Sequence, residues 1–139
     1  VFMNKFLGIA VIIMALAIAV VPAFTDCQSQ GMSLTTTTGK LVPMKCHWTG
    51  IAEIGIAVPL LTMGVLLTTN RRRSNLGNLG IIGIVLGGMV IAYPNGLIGV
   101  CATPTMLCHT IMKPALTILG SFTILGSIGI LVLNRKAKD

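Results

Sequence analysis

The chain alternates long apolar segments with short polar connections. Four apolar segments cover residues 6–24, 50–69, 76–97 and 111–133. A helix rises about 1.5 Å per residue, so roughly 20 apolar residues cross a hydrocarbon core of about 30 Å. Because backbone amides cannot stay unpaired in lipid, each segment predicts a transmembrane helix. The pattern predicts an all-α membrane protein with four transmembrane helices in a single membrane domain, residues 1–139.

The composition fits a membrane protein and excludes an ordinary soluble enzyme domain. Of the 139 residues, 54% are hydrophobic and only 9% are charged, whereas soluble domains are about one quarter charged. The net charge of +7 lies in short clusters between the apolar segments, so it forms no extended basic surface for a nucleic acid. We therefore expect a protein that is not an enzyme and that has no nucleic-acid partner.

The basic residues predict the orientation in the plasma membrane. Seven of the ten lie in connections on one side of the predicted spans: Lys5, Arg71, Arg72, Arg73, Arg135, Lys136 and Lys138. The other side holds Lys40, Lys45 and Lys113. Short cytoplasmic connections of membrane proteins carry an excess of Lys and Arg. Both termini and the turn at 70–75 are therefore predicted to be cytoplasmic, with the loops at 25–49 and 98–110 outside.

The first apolar segment resembles the start of a secretory signal, since Lys5 precedes it. Its apolar run is longer than the roughly 7 to 15 residues of a typical signal core, and the residues from Val21 to Cys27 form a poor cleavage site. We expect the segment to be a permanent first span.

The two halves of the chain share one order of features. Each half contains a span, a proline, a cysteine, a Met-x-Cys-His sequence, a second span and a basic cluster. The matching residues are Pro22, Cys27, Met44, Cys46 and His47 in the first half, and Pro94, Cys101, Met106, Cys108 and His109 in the second. This order predicts two repeats, about 5–73 and 76–138. Each would be a helical hairpin, and both would have the same orientation about an axis along the membrane normal.

All four cysteines fall in the predicted outer loops. Cysteines confined to the outer side are typical of disulfides formed in an oxidising compartment. One bond within each loop (Cys27 with Cys46, Cys101 with Cys108) and bonds between the loops both satisfy the repeat. Thiol–disulfide exchange is an alternative function, although the Cys-x-x-Cys spacing that such chemistry usually employs is missing.

The histidines and two methionines suggest a further alternative. Imidazole and thioether groups are ligands for copper and for haem iron. Two sets, Met44 with His47 and Met106 with His109, would meet if the outer loops converged. In the opposing interpretation each imidazole bonds a loop carbonyl and each methionine packs beneath it. We expect no bound cofactor, with copper or haem as the alternative.

Glu53 is the only acid within a predicted span. It lies about two helical turns beyond Cys46, near the outer membrane edge, and Lys113 lies at the corresponding level of the fourth span. An ionisable group at membrane depth normally finds a partner. We therefore predict an ion pair between Glu53 and Lys113.

Taken together, these residues resemble a family of small four-span membrane proteins, the domain of unknown function 4418. The motifs that carry the resemblance are Met44-Lys45-Cys46-His47-Trp48-Thr49 with Glu53, then Cys101, then Pro104-x-Met106-x-Cys108. The resemblance implies four helices and the cysteine framework but no established activity. It also implies genes that often lie beside those of ABC-type permeases.

The expected role is therefore an accessory or assembly subunit of a larger membrane complex, such as an ABC-type exporter, embedded in membrane lipids. Glycines along the third and fourth spans also suit close helix packing. Self-assembly into a homo-oligomer through such glycine-rich faces is a further alternative, and it requires no catalytic or metal-binding residues.

Overall fold

Four long helices form the protein in the computed structural model, which describes residues 2–25, 34–42, 45–69, 72–100, 105 and 108–136. The helices are α1 (Phe2–Thr25), α2 (Lys45–Thr69), α3 (Arg73–Ala92) and α4 (Lys113–Lys136). Two single turns of π-helix flank the last connection, π1 (Tyr93–Leu97) and π2 (Cys108–Met112). Four helical segments are long and apolar enough to cross a membrane, which confirms the predicted multi-pass, all-helical membrane protein.

The helices extend beyond the predicted spans at one end. Helix α2 begins at Lys45 rather than at Gly50, and the helical segment that contains α4 begins with π2 at Cys108. Continuing the helix pairs the backbone groups that a loop would leave open at the membrane edge. Helix α3 and π1 together end at Leu97, where the third span was predicted to end.

The connection between α1 and α2 contains a small β-hairpin. Strands β1 (Leu34–Thr35) and β2 (Leu41–Val42) pair antiparallel. Gly39 occupies the turn with a φ of 81°, a left-handed conformation that glycine adopts without steric cost. The residues between the strands form a hydrogen-bonded turn, with the Thr36 hydroxyl donating to the Lys40 carbonyl.

Helix α1 packs most extensively against α2, and α3 packs most extensively against α4. Fewer contacts join α1 to α4 and α2 to α3. The helices therefore occupy the four corners of a bundle, with α2 and α4 at opposite corners. The core lies along the bundle axis, and exposed leucine, isoleucine, valine and phenylalanine side chains cover the outer faces.

Glycines bring the helices of each packed pair close together. A Cβ added to Gly64 would lie 2.7 Å from Cγ1 of Ile12 and 3.1 Å from the Gly8 carbonyl oxygen. A Cβ added to Gly120 would lie 2.9 Å from the Gly87 carbonyl oxygen. Without a hydrophobic force between helices in lipid, such small residues permit the backbone approach that gives van der Waals contact.

The buried positions of α1 recur in α3 and π1 at the same intervals. The sequence of steps is three, four, three and four residues. It runs through Gly8, Val11, Ala15, Ile18 and Pro22 in α1, and through Gly80, Gly83, Gly87, Val90 and Pro94 in α3 and π1. The similarity extends beyond the Pro and Cys positions to five buried positions of each helical segment.

The buried positions of α2 recur in α4 in the same way. Glu53, Ala57, Leu60, Gly64 and Leu67 are matched by Leu116, Gly120, Thr123, Ser127 and Ile130. Before these positions, one more residue lies between Cys108 and Met112 than between the corresponding residues Cys46 and Thr49. The π-helical turn π2 accommodates it, because a π-turn takes up one residue more than an α-turn.

The two ends of the bundle differ in charge and in chemistry. We call the end where α2 and π2 begin the cysteine end, because Cys46 and Cys108 lie there. The opposite end, the basic end, carries the exposed residues Lys5, Arg72, Arg135 and Lys136. At the cysteine end Trp48 is exposed and Tyr93 is partly buried, positions that suit the aromatic belt at a membrane surface.

Candidate functional site

Among the described residues, one acidic side chain lies in the interior of the bundle near the cysteine end. Cys46, Glu53, Leu60 and Leu67 follow one another at intervals of seven residues along α2, and all four are buried. A seven-residue interval returns to nearly the same face of a helix after two turns. Glu53, which is 0% exposed, therefore belongs to the face that points into the bundle.

The Glu53 carboxyl group has no hydrogen-bond partner among the described residues. Both oxygens, Oε1 and Oε2, are buried and unpaired there. Buried polar groups are normally hydrogen-bonded, because loss of water without a replacement bond is costly. An unpaired buried carboxyl group is the most unusual feature of this interior.

The predicted ion pair between Glu53 and Lys113 is not formed in the structure. Lys113 is partly exposed in the first turn of α4, and neither Glu53 oxygen has a hydrogen-bond partner in the part of the chain that the structure describes. The physical reason is the bundle geometry, since α2 and α4 stand at opposite corners. Glu53 and Lys113 therefore do not meet, although they were predicted to lie at the same depth in the membrane.

Thr49 lies one helical turn from Glu53 toward the cysteine end. It is 0% exposed, and its hydroxyl donates a 2.7 Å hydrogen bond to the carbonyl oxygen of Gly99. Gly99, which follows π1, has a φ of 84°, so a residue with a Cβ would be strained there. This bond connects α2 directly to the segment beyond π1, and the sequence reasoning missed it.

Cys46 and Cys108 occupy matching places at the start of α2 and of π2. Their exposed fractions are 0% and 1%. The sequence placed both cysteines, with His47 and His109, in outer loops, and the structure corrects this by placing all four in helical turns. Cys27 and Cys101 lie outside the described residues, so the disulfide pairing stays a prediction.

In the described part of the chain, the histidines belong to no group of three or more His, Cys, Asp or Glu side chains. His47 and His109 are both partly buried, and the His47 ring contacts Trp48 edge-on, with ring centroids 5.9 Å apart. Among the described residues, no three His, Cys, Asp or Glu side chains form a group able to hold a metal ion. Met44 and Met106 lie outside these residues, so the copper or haem alternative stays a prediction.

A second polar contact joins π1 and α4 at the same end. The Asn95 side-chain amide donates to the Ile91 carbonyl and, at 3.2 Å, to the Thr117 hydroxyl. Thr117 in turn donates to the Lys113 carbonyl of its own helix. Both hairpins thus have polar groups near the cysteine end, but only α2 contributes an acid to the described interior.

Residues 6–133 match the model of a protein family described as "Domain of unknown function (DUF4418)". The chain belongs to the DUF4418 family. The match includes nearly all of the four helices of this DUF4418 protein, with Thr49, Glu53 and Gly99 inside it, and it confirms the family resemblance expected from the sequence. Neither a curated protein nor a solved structure matches the DUF4418 protein significantly.

The hydrogen bond of Thr49 was missed because it joins distant parts of the chain. One signal was available in the sequence. Thr49, Ile56 and Met63 recur every seven residues on the buried side of α2. A polar residue at an interior position of a membrane helix indicates a hydrogen bond to a neighbouring segment.

Proposed function

We propose that this DUF4418 protein is a small accessory or assembly subunit of a larger complex in the plasma membrane, such as an ABC-type exporter. In this role the bundle binds neighbouring membrane proteins and performs no catalysis itself. The observation that supports the proposal concerns glycines on the outside of the bundle.

Several glycines do not contribute to packing within the bundle. A Cβ added at Gly55, Gly88, Gly126 or Gly129 would have no heavy atom within 4 Å apart from its chain neighbours and the nearby backbone of its own helix. Glycine in a helix interior is less favourable than alanine by about 1 kcal/mol. Outward glycines are useful when another helix approaches closely in the membrane. This favours a protein partner on the outer faces of α2, α3 and α4.

The proposed orientation has both termini in the cytoplasm and the cysteine end outside. The exposed Lys5, Arg72, Arg135 and Lys136 at the basic end support it, because cytoplasmic ends of membrane helices are rich in basic residues. The cysteine end carries fewer basic residues, Lys40, Lys45 and Lys113, in the described part of the chain.

The proposed architecture is a pair of repeated hairpins, α1 with α2 and α3 with α4, that share one orientation. The recurring intervals between buried residues support it. A pseudo-two-fold axis along the membrane normal would relate the hairpins, so the two cysteine–histidine pairs would lie at the same membrane surface.

The proposal includes a disulfide framework formed by Cys27, Cys46, Cys101 and Cys108. Burial of Cys46 and Cys108 supports a structural role, since reactive cysteines are typically partly exposed. Intact mass before and after reduction, with thiol alkylation and elemental analysis, tests it. Four protected cysteines without metal are expected. Alkylated thiols in the unreduced protein, or stoichiometric copper or iron, would favour the redox or metal alternative.

Photo-crosslinking in native membranes tests the accessory role. A photoreactive residue replaces exposed Val58 of α2 or Leu125 of α4, and buried Leu60 is the matched interior control. We expect the two exposed positions to capture a polypeptide of different sequence, such as an ABC permease, while the Leu60 position yields only crosslinks within the chain. Capture of further copies of this chain alone would replace the proposal by self-assembly, and capture of lipid alone would contradict it.

A further inference from the structure

The apolar surroundings of Glu53 are defined by the helix register. Pro22 packs against Gly50, and Gly8 packs against Gly64, so α1 runs antiparallel to α2 and brings Ile18 to about the level of Glu53. The recurring intervals give Val90 in α3 and Leu116 in α4 as the corresponding interior residues. All three are 0% exposed. Glu53 therefore lies at a level of the bundle where the other three helices contribute aliphatic side chains.

None of the described titratable groups at this end of the bundle forms a hydrogen bond with the Glu53 oxygens. On the helices of the described chain they are Lys45, Cys46 and His47 of α2, Tyr93 of π1, Cys108 and His109 of π2, and Lys113 of α4; α1 contributes none at this level. Tyr93 packs against the core, and neither it nor any other described residue hydrogen-bonds to Glu53. The nearby Thr49 hydroxyl donates its hydrogen bond to the carbonyl oxygen of Gly99 instead.

A metal ion is a poor occupant for the described part of this site. Hard cations such as Ca²⁺ take six to eight oxygen ligands, and softer metals take several Cys, His or carboxylate ligands. Glu53 belongs to no such group among the described residues. A proton requires no coordination shell and no additional space.

We propose that Glu53 is a proton-binding site inside the bundle, a carboxylic acid that keeps its proton at neutral pH. An isolated carboxylate in an apolar interior is strongly disfavoured, whereas the neutral acid is tolerated. Ionisable groups within membrane spans are costly and are by default candidates for function. The equivalent position in α4 is Leu116, so the site occurs once in the bundle although the helix packing recurs.

Infrared spectroscopy of the full-length protein in phosphatidylcholine–phosphatidylglycerol vesicles tests this proposal. The carbonyl stretch of a protonated carboxyl group is distinct from the bands of a carboxylate, and it shifts when the acid proton is replaced by deuterium. At neutral pH we expect this band in the wild type and its complete loss in Glu53→Gln. Wild-type and Glu53→Gln spectra that differ only in carboxylate bands would overturn the proposal.

Glu53→Leu serves as a second variant, because leucine occupies the equivalent position in α4. It should also lack the band while keeping the helical circular dichroism of the wild type. Persistence of the band in both variants would assign it to another acid and overturn the proposal.

A chemical probe gives a test on the wild-type protein that needs no substitution. Dicyclohexylcarbodiimide dissolves in the membrane interior and adds whole to a protonated carboxyl group: the acid proton goes to one nitrogen and the carboxyl oxygen bonds to the central carbon. The adduct then rearranges to a stable acylurea with no leaving group. We expect mass spectrometry of the digested protein to locate this adduct on Glu53. Recovery of Glu53 unmodified after prolonged exposure would contradict the proposal.

Discussion

At the scale of single residues, a part-buried hydrogen bond from Thr49 to Gly99 connects two distant parts of the chain at the cysteine end. The donor is on α2, and the acceptor lies beyond π1, fifty residues further along the chain. Within an apolar interior such a bond has little competition from water, and measured contributions in membrane proteins average about 0.6 kcal/mol with a maximum near 1.7 kcal/mol. Its loss also leaves a carbonyl oxygen unpaired.

Replacing Thr49 by valine preserves the side-chain shape and removes the donor. We expect the variant to lose about 1 kcal/mol of stability, measured as a lower midpoint of thermal unfolding in detergent. Thr62→Val is the matched control on the same helix, since the exposed Thr62 hydroxyl bonds only to the Val58 carbonyl one turn earlier. If both variants lost the same stability, the bond to Gly99 would contribute no more than the local bond of Thr62.

Residue chemistry was only partly predictable from the sequence. Glu53 was recognised as the acid within a span, because that property depends on composition along one segment. Its pairing with Lys113 was wrong, because it depends on which helices are neighbours around the bundle. Hydropathy gives the depth of a residue in the membrane, but it does not give the arrangement of helices in the membrane plane.

At the scale of helices, packing depends on glycines at particular places rather than on glycine content. Gly64 and Gly120 each face a glycine carbonyl on the partner helix, whereas Gly126 and Gly129 meet nothing within 4 Å. The sequence singled out the glycines of α3 and α4 but missed Gly8 and Gly64. Their seven-residue intervals to Ala15 and to Ala57 were the available signal.

Gly64→Ala tests the packing of α1 on α2. The added methyl group would overlap Ile12 and approach the Gly8 backbone, so the helices must separate. Overpacking of this kind typically costs about 1–3 kcal/mol. Gly55→Ala on the same helix meets open space and should be neutral or slightly stabilising, because alanine favours helix. Unfolding midpoints of the two variants check this, and a stable Gly64→Ala protein would contradict the close approach.

Gly120→Ala should reproduce the same loss in the second hairpin. Its added methyl group would approach both Ile91 and the Gly87 backbone, and the expected cost is again about 1–3 kcal/mol. Gly129→Ala is the control, as nothing lies near its added Cβ. Chemical unfolding followed by circular dichroism measures both variants. If Gly129→Ala were the more damaging of the two, the packing described for α3 and α4 would be wrong.

Helix boundaries explain the remaining differences at this scale. The four spans were predicted because each contains a long apolar run, but the helical residues 45–49 and 108–110 include polar side chains and were assigned to loops. Their helical state results from burial of Cys46, Thr49, Cys108 and Met112 against the other helices. Such tertiary contacts override local composition.

At the scale of the whole molecule, the distribution of charge between the two ends predicts its orientation. Tags at the N- and C-termini should both resist protease added outside intact cells and become sensitive after permeabilisation, because the exposed basic residues favour the cytoplasm. A tag inserted after Gly39, in the exposed turn between β1 and β2, should be cleaved without permeabilisation. Protection of that tag together with cleavage at the termini would reverse the orientation.

The central claim is that this four-helix bundle is one subunit of a larger membrane complex. Native mass spectrometry of the protein extracted from its own membrane in polymer-bounded lipid discs tests it most directly. We expect a complex of fixed stoichiometry that contains this chain and a second, different membrane polypeptide. A single species made only of this chain, whether monomer or homo-oligomer, would contradict the claim.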